Sequence, residues 1–226
     1  MTIRRDLQAM AQAGKVIRTY GGAAPAGRVS FEFAFLARTR ENGAAKEAVA
    51  RAAAALVGDG DSVMLDSGTT TLALARCLKH RKGLTVITTS LPIASELQFC
   101  DGLQVLLLGG LLQRGAPDLA GALTESNLEI LHADIAFIGA DGIDARGNIY
   151  NDSPIIARML SRMAASADRV FAVADSSKIG RAALMRFGNV AKWDGLITDR
   201  GLNRTLASAL RRAGVRILTA GKDGKE

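Results

Sequence analysis

The chain has 226 residues, room for one large α/β domain with at most a small appendage. Hydrophobic residues make up 48% and aromatics only 4%, so the core is expected to be aliphatic and alanine-rich. The formal charge of +7 suits a nucleic-acid partner, and no apolar run approaches the roughly 18 residues of a membrane helix.

The start, Met1 to Asp6, is charged with no signal-peptide core behind it, which points to the cytoplasm. Cys77 and Cys100 have no partner at metal-binding spacing and read as small core or half-buried residues. His80 and His132 are far apart, and nothing around them completes a metal site. No metal and no cofactor is expected.

Residues 2–13 predict an amphipathic helix with Ile3, Leu7 and Met10 on one face. Gly14 stops it, residues 15–20 form a short alternating strand, and Gly21-Gly22 turns the chain. A basic helix followed by a basic hairpin suits a winged helix-turn-helix, helix in the major groove and hairpin as wing. A solvated helix with a charged face is the plainer alternative. Residues 23–42 read as a linker and docking segment. In it Ser30–Phe35 alternates, with three Phe residues that predict burial or a subunit contact.

From residue 43 to 220 the pattern becomes a steady alternation of helix and strand. Helices are expected at 44–57, 70–80, 92–98, 122–132, 153–167 and 202–213. Strands are expected at 62–66, 84–89, 103–108, 134–139, 169–174, 195–198 and 215–219. Val105–Leu108, Ile135–Ile138 and Val170–Val173 are continuous apolar runs, predicting strands buried on both faces of a parallel sheet. Residues 221–226 read as a frayed tail.

In such sheets ligands bind beyond the carboxyl ends of the strands. Those ends carry Asp66-Ser67-Gly68-Thr69-Thr70, Thr88-Thr89-Ser90, Gly109-Gly110, Gly139-Ala140-Asp141-Gly142, Asp175-Ser176-Ser177-Lys178 and Thr198-Asp199. Any one of these suits an ordinary helix cap. Together they predict a small polar, phosphorylated ligand, with its phosphate on the helix start after Asp66. The Lys of a nucleoside-triphosphatase loop is missing there, and no G-x-G-x-x-G opens the first helix.

The motifs Leu65–Thr71, Val86–Leu91, Leu108-Gly109-Gly110, Gly139–Ile143 and Ala174–Lys178 resemble, in order and spacing, the DeoR family of bacterial transcriptional regulators. The resemblance covers residues 43–200. Thr2–Leu7 with Gly21-Gly22-Ala23 also resembles the family's recognition helix and wing. It implies a sensor domain similar in fold to ribose-5-phosphate isomerase and coenzyme A transferases. That domain would bind a phosphorylated sugar or related effector and alter operator binding, in a homo-oligomer that by family tendency represses carbohydrate genes.

By resemblance, Asp66, Ser67, Gly68, Thr69 and Thr70 surround the effector phosphate, with Lys46 near it. Ser90, Gly109, Gly110, Asp141, Gly142, Asp175 and Lys178 line the remainder, and Thr2, Arg4 and Arg5 meet DNA. Thr88-Thr89-Ser90 departs from the family's Thr-Asn-Ser, which removes a side-chain amide. Residues 1–22 match only the recognition helix and wing, so this polypeptide is expected to bind operator weakly or not at all. The alternative is a sugar-phosphate isomerase of the same fold, with Asp141 or Asp175 as base and Lys178 as electrostatic partner. A third reading is an interaction domain that has lost DNA binding.

Overall fold

A computed structural model describes residues 3–12, 16–19, 22–25, 35, 37–113 and 116–221. Expectations for Thr2, for residues 26–34 and for the tail 222–226 fall outside these, as does the side chain of Arg4.

Helix α1 (Ile3–Gln12) precedes an antiparallel hairpin of β1 (Val16–Thr19) and β2 (Gly22–Pro25). The expected apolar face is present but open: Ile3 and Met10 are exposed and Leu7 is partly covered. The larger part of the chain follows as α2 (Gly43–Ala54), β3 (Ser62–Leu65), α3 (Thr69–Leu78), β4 (Leu84–Thr88), α4 (Leu91–Leu97) and β5 (Leu103–Leu107). A two-stranded hairpin of β6 (Leu111–Leu112) and β7 (Leu119–Ala120) leads to α5 (Ala122–Glu129) and β8 (Ala133–Ile138). Then come β9 (Gly142–Ile143), β10 (Asn148–Asn151), α6 (Pro154–Ala165), β11 (Ala167–Val173), β12 (Met185–Asn189), β13 (Gly195–Thr198), α7 (Arg204–Arg212) and β14 (Ile217–Thr219).

Seven strands make one sheet in the order β14-β13-β11-β8-β3-β4-β5, and every neighbouring pair is parallel. Alternation within strands explains the two layers of helices. Val63 and Leu65 of β3 and Ile135 and Phe137 of β8 face one core with Val49, Leu74, Leu78 and Ile93. Met64, Ala136 and Ile138 point the other way, against Leu128, Met159, Leu160 and Met163. Phe137 and Phe171 stack across adjacent strands, centroids 6.0 Å apart. Alanine at Ala50, Ala53, Ala133 and Ala136 is fully buried, which lets backbones approach where aromatics are scarce.

Two sequence expectations need correction. The run Val105–Leu108 is not buried on both faces. β5 is an edge strand, with Leu106 40% and Leu107 38% exposed, because only one neighbour, β4, pairs with it. Between the expected elements, the stretches 110–121 and 140–152 hold the β6–β7 hairpin and two strands of an antiparallel sheet ordered β12-β10-β9. Cys77 is exposed rather than a core residue, on the outer face of α3.

From β3 the chain steps outward through β4 to β5, then returns to the other side of β3 with β8 and continues through β11, β13 and β14. The order in which strands are added therefore reverses between β3 and β8. Open α/β sheets hold a crevice beyond the carboxyl ends at such a reversal.

Candidate functional site

The turn after β3 fills that crevice. Asp66 is buried, and its carboxylate accepts from Gly68 N at 3.0 Å, Thr71 Oγ1 at 2.6 Å and, across the reversal, Gly139 N at 2.7 Å. Burial pushes the Asp66 pKa above the usual carboxylate range, opposed by these three donors. Asp66 thus ties β3 to β8 and shapes the turn.

Gly68 is the N-cap of α3, with ordinary extended angles (φ −67°, ψ 157°) and no side-chain cap. Its conformation demands no glycine, but its surroundings are tight. A Cβ there would sit 3.1 Å from Asp66 Oδ1 and 3.3 Å from Thr71 Oγ1. Thr71 turns inward to Asp66 and to Gly68 O, so no hydroxyl caps the helix start. The first N–H groups of α3 have no partner within the helix and carry the positive end of its dipole.

They open on a cavity of about 420 Å³. Ser67, Gly68, Thr69 and Thr70 line it, with Asp66, Lys46, Asp141, Asp175 and Lys178. Nine of the expected effector residues are therefore brought together. Four are not. Ser90 is buried and caps α4, accepting from Ile93 N at 3.4 Å. Gly109 packs on α5, its N–H donating to Asn127 Oδ1 and its carbonyl accepting from Thr124 Oγ1. At Gly110 a Cβ would collide with the Thr124 hydroxyl, and at Gly142 with the Arg181 backbone. These four stand at strand ends, as expected, but their contacts are packing contacts away from the cavity wall.

Lys46 is buried, and its ammonium donates to the Arg38 carbonyl. Burial pushes its pKa down; Asp175 pulls it up again, and the neighbouring Lys178 pushes it down further. Asp175 caps the short 3₁₀ turn Ser176–Lys178 and accepts from Ser177 N at 3.1 Å and Asn42 Nδ2 at 3.0 Å. Asp141 accepts from Asp152 N at 3.1 Å.

Several lining residues are new. Arg38 and Asn42 come from the segment expected to be a linker. Asn42 adopts a left-handed conformation (φ 54°) and uses its amide on Asp175 and Ser177, so it holds the 3₁₀ turn rather than its own helix. Asp118, in the β6–β7 hairpin, reaches the cavity with Gln113 and Pro117. It is 4% exposed, and burial raises its pKa to about 6 despite the nearby Ser67 hydroxyl and Arg38. Its sequence context, Ala116-Pro117-Asp118, reads as an ordinary turn.

The arrangement is a cavity at the reversal of strand order, with an uncapped helix start, the cations Lys46, Lys178 and Arg38, and several acids on its wall. No group of His, Cys, Asp and Glu fit to hold a metal ion occurs among the described residues.

Comparison with known proteins identifies the class. Residues 41–200 match the DeoR C terminal sensor domain, and residues 1–27 match the DeoR-like helix-turn-helix domain. The chain is 33% identical over 224 residues to a putative aga operon transcriptional repressor from Escherichia coli, covering 98% of this chain and 83% of that protein. It is 34% identical over 231 residues to the HTH-type transcriptional repressor GlcR from Bacillus subtilis, covering 100% and 87%. It is 29% identical over 199 residues to the glycerol-3-phosphate regulon repressor of Escherichia coli, covering 88% and 78%. Among solved structures it aligns with ribose 5-phosphate isomerase A from Neisseria gonorrhoeae at 18% identity and a TM-score of 0.44, over 59% of this chain and 52% of that one.

The chain belongs to the DeoR family of transcriptional regulators, with a helix-turn-helix region and a C-terminal sensor domain. The isomerase alternative is not favoured, because these relatives are regulators. Among the described residues no helix is long and apolar enough to cross a membrane.

Proposed function

We propose that the cavity binds a phosphorylated sugar or related small molecule, and that occupancy changes how α1 and the β1–β2 hairpin engage operator DNA. The observation that carries this reading is the uncapped start of α3 opening into a cavity with Lys46, Lys178 and Arg38. The phosphate sits on the free N–H groups at Thr69 and Thr70, with the Ser67 and Thr70 hydroxyls beside it. Asp66 supports the turn, and Asp141 and Asp175 face the sugar. The exposed Arg5 contacts the DNA backbone, with Thr2 and Arg4 beside it in the sequence. One relative is named for a glycerol 3-phosphate regulon, which agrees with a phosphorylated effector.

The site senses rather than transforms. Asp175, one candidate base of an isomerase, is engaged by Ser177 and Asn42, and Asp141 holds the Asp152 amide. Thermal-shift measurement against a panel of sugar phosphates tests the reading: binding to the folded state raises the melting temperature. Lys178→Gln should abolish that rise. No rise with any phosphorylated sugar contradicts the reading, and so does turnover of ribose 5-phosphate.

The working division is a DNA-binding part at residues 1–22, a joining segment at 23–42, a sensor at 43–220 and a tail at 221–226. The end of the joining segment belongs functionally to the sensor, since Arg38 and Asn42 line its cavity. Self-association is expected through the free edge of β5 and the neighbouring hairpin. There Leu106, Leu107, Leu111 and Leu112 are exposed, and no charged residue occurs from Leu103 to Gln113. Sedimentation of Leu106→Lys/Leu112→Lys should show a smaller species than the wild type; an unchanged mass contradicts this interface.

A further inference from the structure

Asp118 is held in place by its own backbone. It bridges Ser90 in antiparallel fashion, Gln113 N donates to its carbonyl at 2.9 Å, and the flanking residues bond to Leu91 and Thr89. The carboxyl cannot swing to solvent without breaking this anchorage. The Ser67 hydroxyl lies near the carboxyl, yet among the described residues Oδ1 has no hydrogen-bond partner, and the side chain stands in the cavity wall. A buried carboxyl with an unpaired oxygen is costly. Such groups in native proteins mark strain kept for function or a partner that arrives from outside. A donor can reach this one through the cavity, and rotation about the broad terminal torsion presents either oxygen to it.

The wall also limits what that donor belongs to. Asp118 is close enough to Asp66 and Asp141 for their charges to act on it, and Arg38 acts on it with the opposite sign, so three carboxylates here face one guanidinium. The cations Lys46 and Lys178 are near each other, beside the 3₁₀ turn. A ligand with one phosphate and neutral hydroxyls satisfies both parts. A second phosphate or a carboxylate on the ligand would meet like charge in a poorly solvated space.

We propose that Asp118 accepts a hydrogen bond from a hydroxyl of the effector and restricts the sensor to phosphomonoesters of neutral polyols. This rests on the reading of the cavity as a phosphate-effector site. Asp118 then acts as a specificity residue supplied by the β6–β7 hairpin, and its unpaired oxygen in the free protein is the empty half of that contact.

Titration calorimetry on the full chain tests it, with aldose and ketose monophosphates, fructose 1,6-bisphosphate, 6-phosphogluconate and inorganic phosphate as probes. At least one monophosphate should bind the wild type, and the bisphosphate and the acid should bind about 10-fold more weakly or worse. Asp118→Ala should weaken the monophosphate about 10-fold or more, leave inorganic phosphate equal or tighter, and raise the melting temperature of the free protein. Asp118→Asn, which keeps an acceptor oxygen, should lose less. If the wild type binds a monophosphate and Asp118→Ala binds it equally, the role of Asp118 is overturned while the effector site stands. A lowered melting temperature with equal loss of inorganic phosphate shows a structural residue instead and overturns the role too. If the wild type binds no probe at all, the effector reading falls and this inference with it.

Discussion

Two buried acids of one cavity stand in opposite conditions. Asp66, in the turn between β3 and α3, has three donors on its carboxylate and joins two neighbouring strands. Asp118, in the β6–β7 hairpin, has one oxygen, Oδ1, with no hydrogen-bond partner among the described residues. Both are about equally buried, and burial pushes both pKa values upward. The difference lies in what each was given in compensation. A saturated carboxylate is architecture, and its removal should damage the fold. An unsatisfied one is a standing cost, and its removal should relieve the fold while damaging recognition.

The largest expected effect is at the saturated acid. Asp66→Ala strands the N–H groups of Gly68 and Gly139 and the Thr71 hydroxyl, at a cost on the order of 4 kcal/mol in urea denaturation. A loss below about 1 kcal/mol would contradict its role as the tie across the sheet reversal.

The dependence on pH separates the two acids next. Asp118 titrates at about 6 in the folded protein against 3.8 for a free aspartate carboxyl. Across that interval the folded state keeps a proton that the unfolded chain has released, so stability falls as pH rises from about 4 to about 6 and levels off above. The drop is on the order of 3 kcal/mol. Asp66 is shifted in the same direction, so the informative quantity is a difference. Asp118→Asn should be less pH-sensitive than the wild type over this interval, and parallel profiles would show that Asp118 is not the group responsible.

A smaller effect probes the space around Asp66. Gly68→Ala places a methyl group against two atoms that hydrogen bonds hold in position, and should cost about 2 kcal/mol. A neutral substitution would mean that the turn yields easily.

The smallest effect concerns a residue outside the comparison. Ser90→Ala removes the cap of α4 and should cost about 1 kcal/mol, with effector affinity unchanged. Lost affinity would return Ser90 to the site.

The same contrast explains what the sequence made legible. The turn at Asp66–Thr71 is local: strand, turn and helix follow one another, and the polar residues that fill the crevice are consecutive. The parallel sheet was legible for a similar reason, since Ile135–Ile138 and Val170–Val173 are apolar at every position and are buried on both faces in the fold. Leu106 and Leu107 look the same in sequence but stand at the sheet edge, and strand order is a property of the whole chain. Ser90, Gly109 and Gly110 do not line the cavity for this reason. They follow β4 and β5, on the side of β3 away from the reversal, whereas the cavity forms between β3 and β8 and extends toward β11. Asp118, Arg38 and Asn42 were missed because they reach the cavity from a hairpin and a connecting segment. Their contacts come from pairings such as Asn42 with Asp175, 133 residues apart, and no local pattern announces those.

The most direct test of the central claim is the backbone amide NMR spectrum of the chain during titration with inorganic phosphate and then with a sugar monophosphate. The largest shifts should fall on the amides of Ser67, Gly68, Thr69 and Thr70, with Ser90, Gly109 and Gly110 unmoved, and the sugar monophosphate should add a shift at Asp118. Shifts centred on Gly109 and Gly110, or none at the start of α3, would contradict the claim.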